Sequence, residues 1–162
     1  RTMNKIEELS YLIKATDKEG EAYYSQLLAP LSITPNQNEV LKILDVKNGL
    51  SIKEIGQLLI CGSDSPSRVI QRLIDKDLVV KVSDENDERK VNVILTPTGK
   101  KLLKESAKIE EEFNQRIQDK VSQYVDIKLL ITILSNRLHQ TKTLDKINKR
   151  KGLTRSDRND LN

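Results

Sequence analysis

The 162-residue chain carries 28 Lys and Arg against 24 Asp and Glu, a formal charge of +4, with 3% aromatic residues and no Trp. That length fits one domain, or one domain with helical extensions, and 22 Leu, 16 Ile and 10 Val are ample for its core. A single Cys and a single His exclude an internal disulfide and a zinc site built from those residues. The most apolar run, Leu129 to Leu134, is too short to cross a bilayer and no signal-peptide pattern opens the chain, so a soluble, cytoplasmic, mainly helical protein without a cofactor is expected.

Arg1 and Thr2, ahead of Met3, read as an added remnant and are left out of the fold reading. Ile6, Leu9, Leu12 and Ile13 recur at helical spacing and predict a first amphipathic helix. Tyr23, Tyr24, Leu27, Leu28 and Leu31 either continue it past Gly20 or form a short helix of their own. Thr34-Pro35-Asn36-Gln37 is a capping box with proline at the first helical position. The helix it opens carries Val40, Leu41 and Leu44 and stops at Asn48-Gly49. A second capping box, Ser51 to Glu54, opens a short helix with Ile55, Leu58 and Leu59 inside, which breaks at Cys61-Gly62. Ser65-Pro66 then caps a third helix whose inward residues are Val69, Ile70, Leu73 and Ile74.

After Asp77 the apolar period changes from helical to alternating. Val80 with Val82, and Val91 with Val93 and Leu95, predict two short strands joined by the charged stretch from Ser83 to Lys90. Thr96-Pro97 caps a long helix with Leu102, Ile109, Phe113, Ile117, Val121 and Tyr124 among its apolar positions. Asp126 caps a last helix with Ile127, Leu130, Ile131, Leu134 and Leu138. From Lys142 onward seven basic residues face three acidic ones, while residues 1 to 141 balance at 21 against 21, so the positive charge belongs to the tail. Residues from Lys146 hold too few apolar side chains to order themselves.

The order helix, tight turn, helix, strand, charged loop, strand is a winged helix-turn-helix. The expected class is therefore mainly α with a small β-hairpin wing, flanked by N- and C-terminal dimerisation helices. The divisions expected are 3–32 for N-terminal dimerisation helices, 33–97 for the DNA-binding domain, 98–145 for C-terminal dimerisation helices and 146–162 for a basic, disordered tail. The second helix of such a pair suits the major groove, which admits a helix and gives each base pair a distinct donor and acceptor pattern. With its apolar residues inside, Ser67, Arg68, Gln71, Arg72 and Asp75 remain outside. Arg pairs with guanine, Gln with adenine, and Ser65 and Ser67 lie at the helix start, where phosphate is held. A solvated charged face is the competing reading of the same residues.

Lys76-Asp77-Leu78-Val79, then Asp87-Glu88-Arg89, then Leu95-Thr96-Pro97-Thr98-Gly99 resembles the MarR family of bacterial regulators, whose usual run is K-G-L-V, D-x-R and L-T-x-x-G. The motifs cover residues 34 to 105, and the order of helices extends the likeness to residues 5 to 145. The wing also resembles the staphylococcal SarA-type branch. The resemblance implies a homodimer on a pseudo-palindromic operator of double-stranded DNA, with Arg89 entering the minor groove, Asp87 orienting its guanidinium and Lys90 beside them. Two departures stand out. Asp77 occupies the family's glycine position, so an Asp must carry a left-handed turn. The wing is acidic, with Lys81, Arg89 and Lys90 against Asp84, Glu85, Asp87 and Glu88, so those carboxylates must point away from phosphate or carry counter-ions.

Dimerisation also follows from the residues themselves, because a long helix striped by Ile109, Phe113, Ile117 and Val121 needs a partner surface. Cys61 is a candidate redox thiol, but the reading favoured is packing, since Asp64 nearby opposes the positive surroundings a reactive thiol needs. His139 lacks any triad partners and reads as a surface or interface residue. Glu110-Glu111-Glu112 reads as a solvated face. Tyr11, Tyr23 and Tyr24 have two readings, the lining of a small-molecule effector pocket and, favoured, the edge of an amphipathic core. No phosphate-binding glycine loop, nucleophile elbow or metal set is present, so no catalytic residues are expected and the protein is read as a regulator rather than an enzyme. The alternative is a winged helix serving as a protein-interaction or structural module, favoured if Arg68, Arg72 and Arg89 are tied up in intrachain ion pairs.

Overall fold

Side-chain caps at Asn4, Thr34, Ser51, Ser65, Thr96, Asp126 and Thr141 open the α-helices of the computed structural model, which describes residues 1–153. In chain order these are α1 (Lys5–Leu28), α2 (Pro35–Val46), α3 (Ile52–Leu58), α4 (Pro66–Asp75), α5 (Pro97–Val121), α6 (Ile127–Arg137) and α7 (Lys142–Gly152). Strands β1 (Val79–Ser83) and β2 (Val91–Leu95) form an antiparallel hairpin between α4 and α5. Thr34 with Gln37 and Ser51 with Glu54 close the two capping boxes read from the sequence. The first apolar stretch is one continuous helix: Gly20 has no contact that a side chain would disturb and interrupts nothing.

The core lies around α2. Its Val40, Leu41, Ile43 and Leu44 are buried against Ile55 of α3, Val69, Ile70 and Leu73 of α4, and Val79, Val93 and Leu95 of the hairpin. The hairpin register pairs Val79 with Leu95 and Lys81 with Val93, so Val79, Val93 and Leu95 share the inner face. Val80 and Val82, the residues that announce the strand, lie on the other face, and Val80 is 41% exposed. Leu50 adds a third short rung, accepting from the Val93 amide at 2.8 Å.

The junction between α4, the wing and α5 depends on two positions. Asp77 takes φ of 56°, the left-handed turn that the resemblance implied at its glycine position. Its carbonyl accepts from the Thr96 hydroxyl at 2.6 Å, while the Leu78 carbonyl accepts from the Thr96 amide at 3.1 Å. Gly99 lets α5 start directly over that strand: a Cβ there would stand 2.0 Å from the Leu78 carbonyl oxygen. Gly99→Ala should lower the unfolding free energy by about 2 kcal/mol, because backbone rather than a side chain must give way. Chemical denaturation with an unchanged slope and a lower midpoint is the expected record.

Two helices leave their apolar faces uncovered. On α1, Ile6, Leu9, Leu12 and Ile13 are each more than half exposed, and α6 contains no buried residue at all. The last helix corrects the expectation of a tail disordered from Lys146. Residues 142–152 are helical, capped by Thr141, whose hydroxyl accepts from the Leu144 amide at 3.2 Å. Leu144 and Ile147 are half-buried, and Leu153 packs on the core. Polar anchors, described below, supply the order that apolar content does not. The remainder of the expected tail, residues 154–162, lies outside the described residues.

Candidate nucleic-acid interface

Helix α4 is fixed from below by Val69, Ile70 and Leu73, all fully buried, and from its start by Ser65, whose hydroxyl accepts from the Arg68 amide at 3.4 Å. That leaves Ser67, Arg68, Gln71, Arg72 and Asp75 together on one exposed face. The side chains are not equally free. Gln71 donates to Asp75 at 2.9 Å, and Arg72 donates to Asp64 at 2.6 Å. Both partners of the Arg72–Asp64 pair reach solvent, so it holds the guanidinium with less than about 1 kcal/mol. Arg68 and Arg89 form no ion pair among the described residues.

The acidic wing is explained by its own backbone. Asp84 accepts from the Asn86 amide at 2.9 Å, from the Asp87 amide at 3.2 Å and from the Asn92 side chain at 2.8 Å. Those hydrogen bonds, the Asn86 amide first, hold the Asp84 carboxyl below its usual range. The ordered tip is thus supported above the usual carboxylate range and loses that support as pH falls through the lowered value. Asp87 accepts from the Arg89 amide at 3.0 Å, and its carbonyl accepts from the Lys90 amide at 2.8 Å. Asp87 therefore shapes the turn beneath Arg89 through the backbone, rather than by pairing with the guanidinium as the resemblance implied. Two of the four wing carboxylates are spent inside the turn, and Arg89 and Lys90 stand exposed on its outside.

Behind the turn between α3 and α4 lies a cavity of about 560 Å³, walled by α1, α2, α5, Arg150 of α7 and the turn itself. Tyr24 and Phe113, both in its lining, stack on each other at 5.4 Å between ring centroids. The Tyr24 hydroxyl accepts from Asn38 at 2.8 Å; burial, then the nearby Glu110 carboxylate, push that phenol up to about 12. The other Asn38 side-chain atom, Oδ1, is buried without a partner. Tyr24 thus lines a pocket as well as edging a core, Tyr23 packs on Phe113 from outside at 5.9 Å, and Tyr11 is 60% exposed on α1. Glu110 is half-buried and paired with Lys42, whereas Glu111 and Glu112 are exposed.

Cys61 lies in the same wall. Burial, then the Glu39 carboxylate, push its thiol up to about 11, the opposite of what an oxidant-sensing thiolate requires. Cys61 is exposed to reagent, so the shift should be read in its labelling: iodoacetamide should modify native Cys61 about tenfold more slowly at neutral pH than it modifies the unfolded chain, with the rate climbing until about pH 11. Equal rates in the folded and unfolded chain would contradict this.

Sequence reading passed over Glu39. It is 5% exposed, and its carboxylate accepts from the amides of Ile60 at 2.6 Å and Cys61 at 2.8 Å and from Arg150 of α7 at 2.5 Å. The available signal was the run Gln37-Asn38-Glu39, three polar residues placed where α2 turns inward.

Comparison with known proteins gives this geometry a family. Residues 33–99 match the model of a winged helix DNA-binding domain. The transcriptional regulator SarZ of Staphylococcus aureus is 30% identical over 111 residues, spanning 66% of this chain and 75% of that protein. The chain belongs to the MarR family of winged-helix transcription regulators. Among solved structures, MepR of S. aureus in its DNA-binding conformation is 26% identical with a TM-score of 0.66, covering 80% of this chain and 96% of that one. A MarR mutant from E. coli complexed with operator DNA shares the fold, with a TM-score of 0.71 at 23% identity over 85% of this chain and 99% of that one. Members of the MarR family act in transcription through DNA binding rather than as enzymes, and this chain has their helices and their two-stranded wing. No helix among the described residues is long and apolar enough to cross a membrane.

Proposed function

We propose that this MarR-family chain is a sequence-specific regulator that binds a pseudo-palindromic operator as a homodimer, α4 in the major groove and the wing tip in the minor groove. The observation that carries the reading is the exposed face of α4, where Ser67, Arg68, Gln71 and Arg72 stand clear of a fully buried base. Ser65 caps that helix, and Asp87 and Lys90 form the turn that presents Arg89. The partner of α1 and α6 is a second copy, since both helices carry long apolar faces that this chain leaves open. The protein-interaction alternative needed Arg68, Arg72 and Arg89 all tied up; only Arg72 is, and weakly.

The cavity beside the turn is the place for an effector that relieves binding. Asp17, Glu21, Glu39 and Glu110 outnumber Lys42 and Arg150 around it, and both cations are already paired with Glu110 and Glu39. With the Tyr24–Phe113 stack and the unpartnered Asn38 oxygen, it suits a flat aromatic that is neutral or cationic and donates a hydrogen bond.

The test is a titration of the purified dimer on the DNA upstream of its own coding region, against scrambled DNA of equal length at fixed salt. Selective binding of one dimer per site supports the operator reading. Equal binding to both sequences would remove it.

A further inference from the structure

Helix α7 packs against α3, and its two polar anchors converge on the connection between α3 and α4. Leu59 ends α3, and residues 60–64 lead to the Ser65 cap of α4. Three backbone polar groups of two successive peptides there are held from outside the helix pair. The Leu59 carbonyl accepts from Lys146 Nζ at 3.0 Å. The Ile60 and Cys61 amides donate to Glu39, whose charge is met by Arg150 Nη1 at 2.5 Å. Both cations come from α7, one turn apart, and Arg150 lies 111 residues from its partner.

The energetics make this more than a surface contact. A carboxylate as buried as Glu39 is costly unless it is paired and hydrogen-bonded, and three donors converge on it here. Removing Arg150 leaves that charge uncompensated beneath the turn. The turn leads directly into α4, whose base is buried on the core and whose start is capped by Ser65 alone through a 3.4 Å side-chain bond. A helix aimed at base edges loses affinity in proportion to the time it spends misaimed.

We infer that Arg150 of α7, acting through Glu39, and Lys146, acting on the Leu59 carbonyl, are positioning residues for DNA reading. They strap the α3–α4 turn into the geometry that presents Arg68 and Gln71. The inference rests on the operator reading above, and it gives the C-terminal segment a role that a disordered basic tail would lack. Nothing in it requires α7 to touch DNA.

The experiment uses the full chain with Arg150→Gln, Lys146→Gln and, as the conservative variant, Arg150→Lys. Three properties are measured: dimer state, the ratio of operator to scrambled-DNA affinity, and amide exchange at Ile60 and Cys61. The glutamine variants should remain dimers, lose about tenfold in that ratio, and exchange faster at Ile60 and Cys61 while the amides of β2 and α5 stay unchanged. Arg150→Lys should recover most of the loss. If α7 instead touches phosphate, the salt slope falls by close to one unit per residue, both DNAs weaken together and the turn amides do not change. That result, or wild-type behaviour in both glutamine variants, overturns the inference. If the wild type itself shows no preference, the operator reading fails first, and unchanged exchange at Ile60 and Cys61 would remove the strap as well.

Discussion

Dimers of the wild-type chain should give way to monomers or aggregates when Ile131 is replaced by Asp. Ile131 is 55% exposed on α6, a helix with no buried residue, flanked by Leu130 and Leu134 on the same uncovered surface. An amphipathic helix that this chain leaves open is a helix whose cover is supplied from elsewhere. A carboxylate forced into such an interface without a partner costs at least about 2 kcal/mol, and two-fold symmetry applies the cost twice. Roughly 4 kcal/mol is about a thousandfold in association constant. Light scattering with size exclusion across a dilution series should show it, with Ile131→Leu remaining dimeric. Ile117→Asp, at a 47% exposed position on α5, tests the second half of the same surface. Dimers of undiminished affinity in both variants would mean that these faces are covered by something other than a second copy.

The same helices show what a sequence discloses and what it withholds. Caps are local chemistry, so Thr34 with Gln37, Ser51 with Glu54, and Ser65 and Asp126 were each legible from a few consecutive residues. The left-handed turn at Asp77 was legible for a different reason: the resemblance to the MarR family puts Asp77 where that family's run has Gly. The facing of β1 was not, because Val79, Val80 and Val82 are all β-branched and only the pairing with β2 decides which side is inward. Helix α7 was missed because apolar content was the criterion. Its order comes from Thr141, from three half-buried apolar residues spaced too thinly to register, and from Lys146 and Arg150 reaching partners about ninety or more positions away. For the wing, the expectation that its carboxylates turn away from phosphate agrees with Asp84 and Asp87, but the charge count could not say how. Both enter that count as full negative charges, whereas in the structure both accept from backbone amides of the turn. A net charge counts groups without knowing which way they point.

That inward use of the wing carboxylates sets up the second large effect, a contrast between two arginines. Arg68 lies on the exposed face of α4 and Arg89 on the wing tip, and neither is held by an ion pair among the described residues. A side chain paired with a base edge contributes roughly 1–3 kcal/mol of discrimination, and a symmetric dimer makes the contact in both half-sites. Arg68→Ala should therefore weaken operator binding about a hundredfold and relax selectivity at one position in each half-site, with the half-sites about one helical turn apart. Arg72→Ala should cost less, because Asp64 already competes for that guanidinium, and Asp64→Asn should raise affinity by releasing it. Arg89→Ala should leave major-groove selectivity intact and reduce preference for flanking A·T steps, whose narrow minor groove attracts a guanidinium. Binding of each variant to an operator library at fixed salt separates these outcomes. Equal loss on every sequence in all three arginine variants would mean that they meet only phosphate, and the groove assignments for α4 and the wing would have to be abandoned. A loss confined to Arg89→Ala would place recognition in the wing, and α4 would then be packing against DNA without reading it.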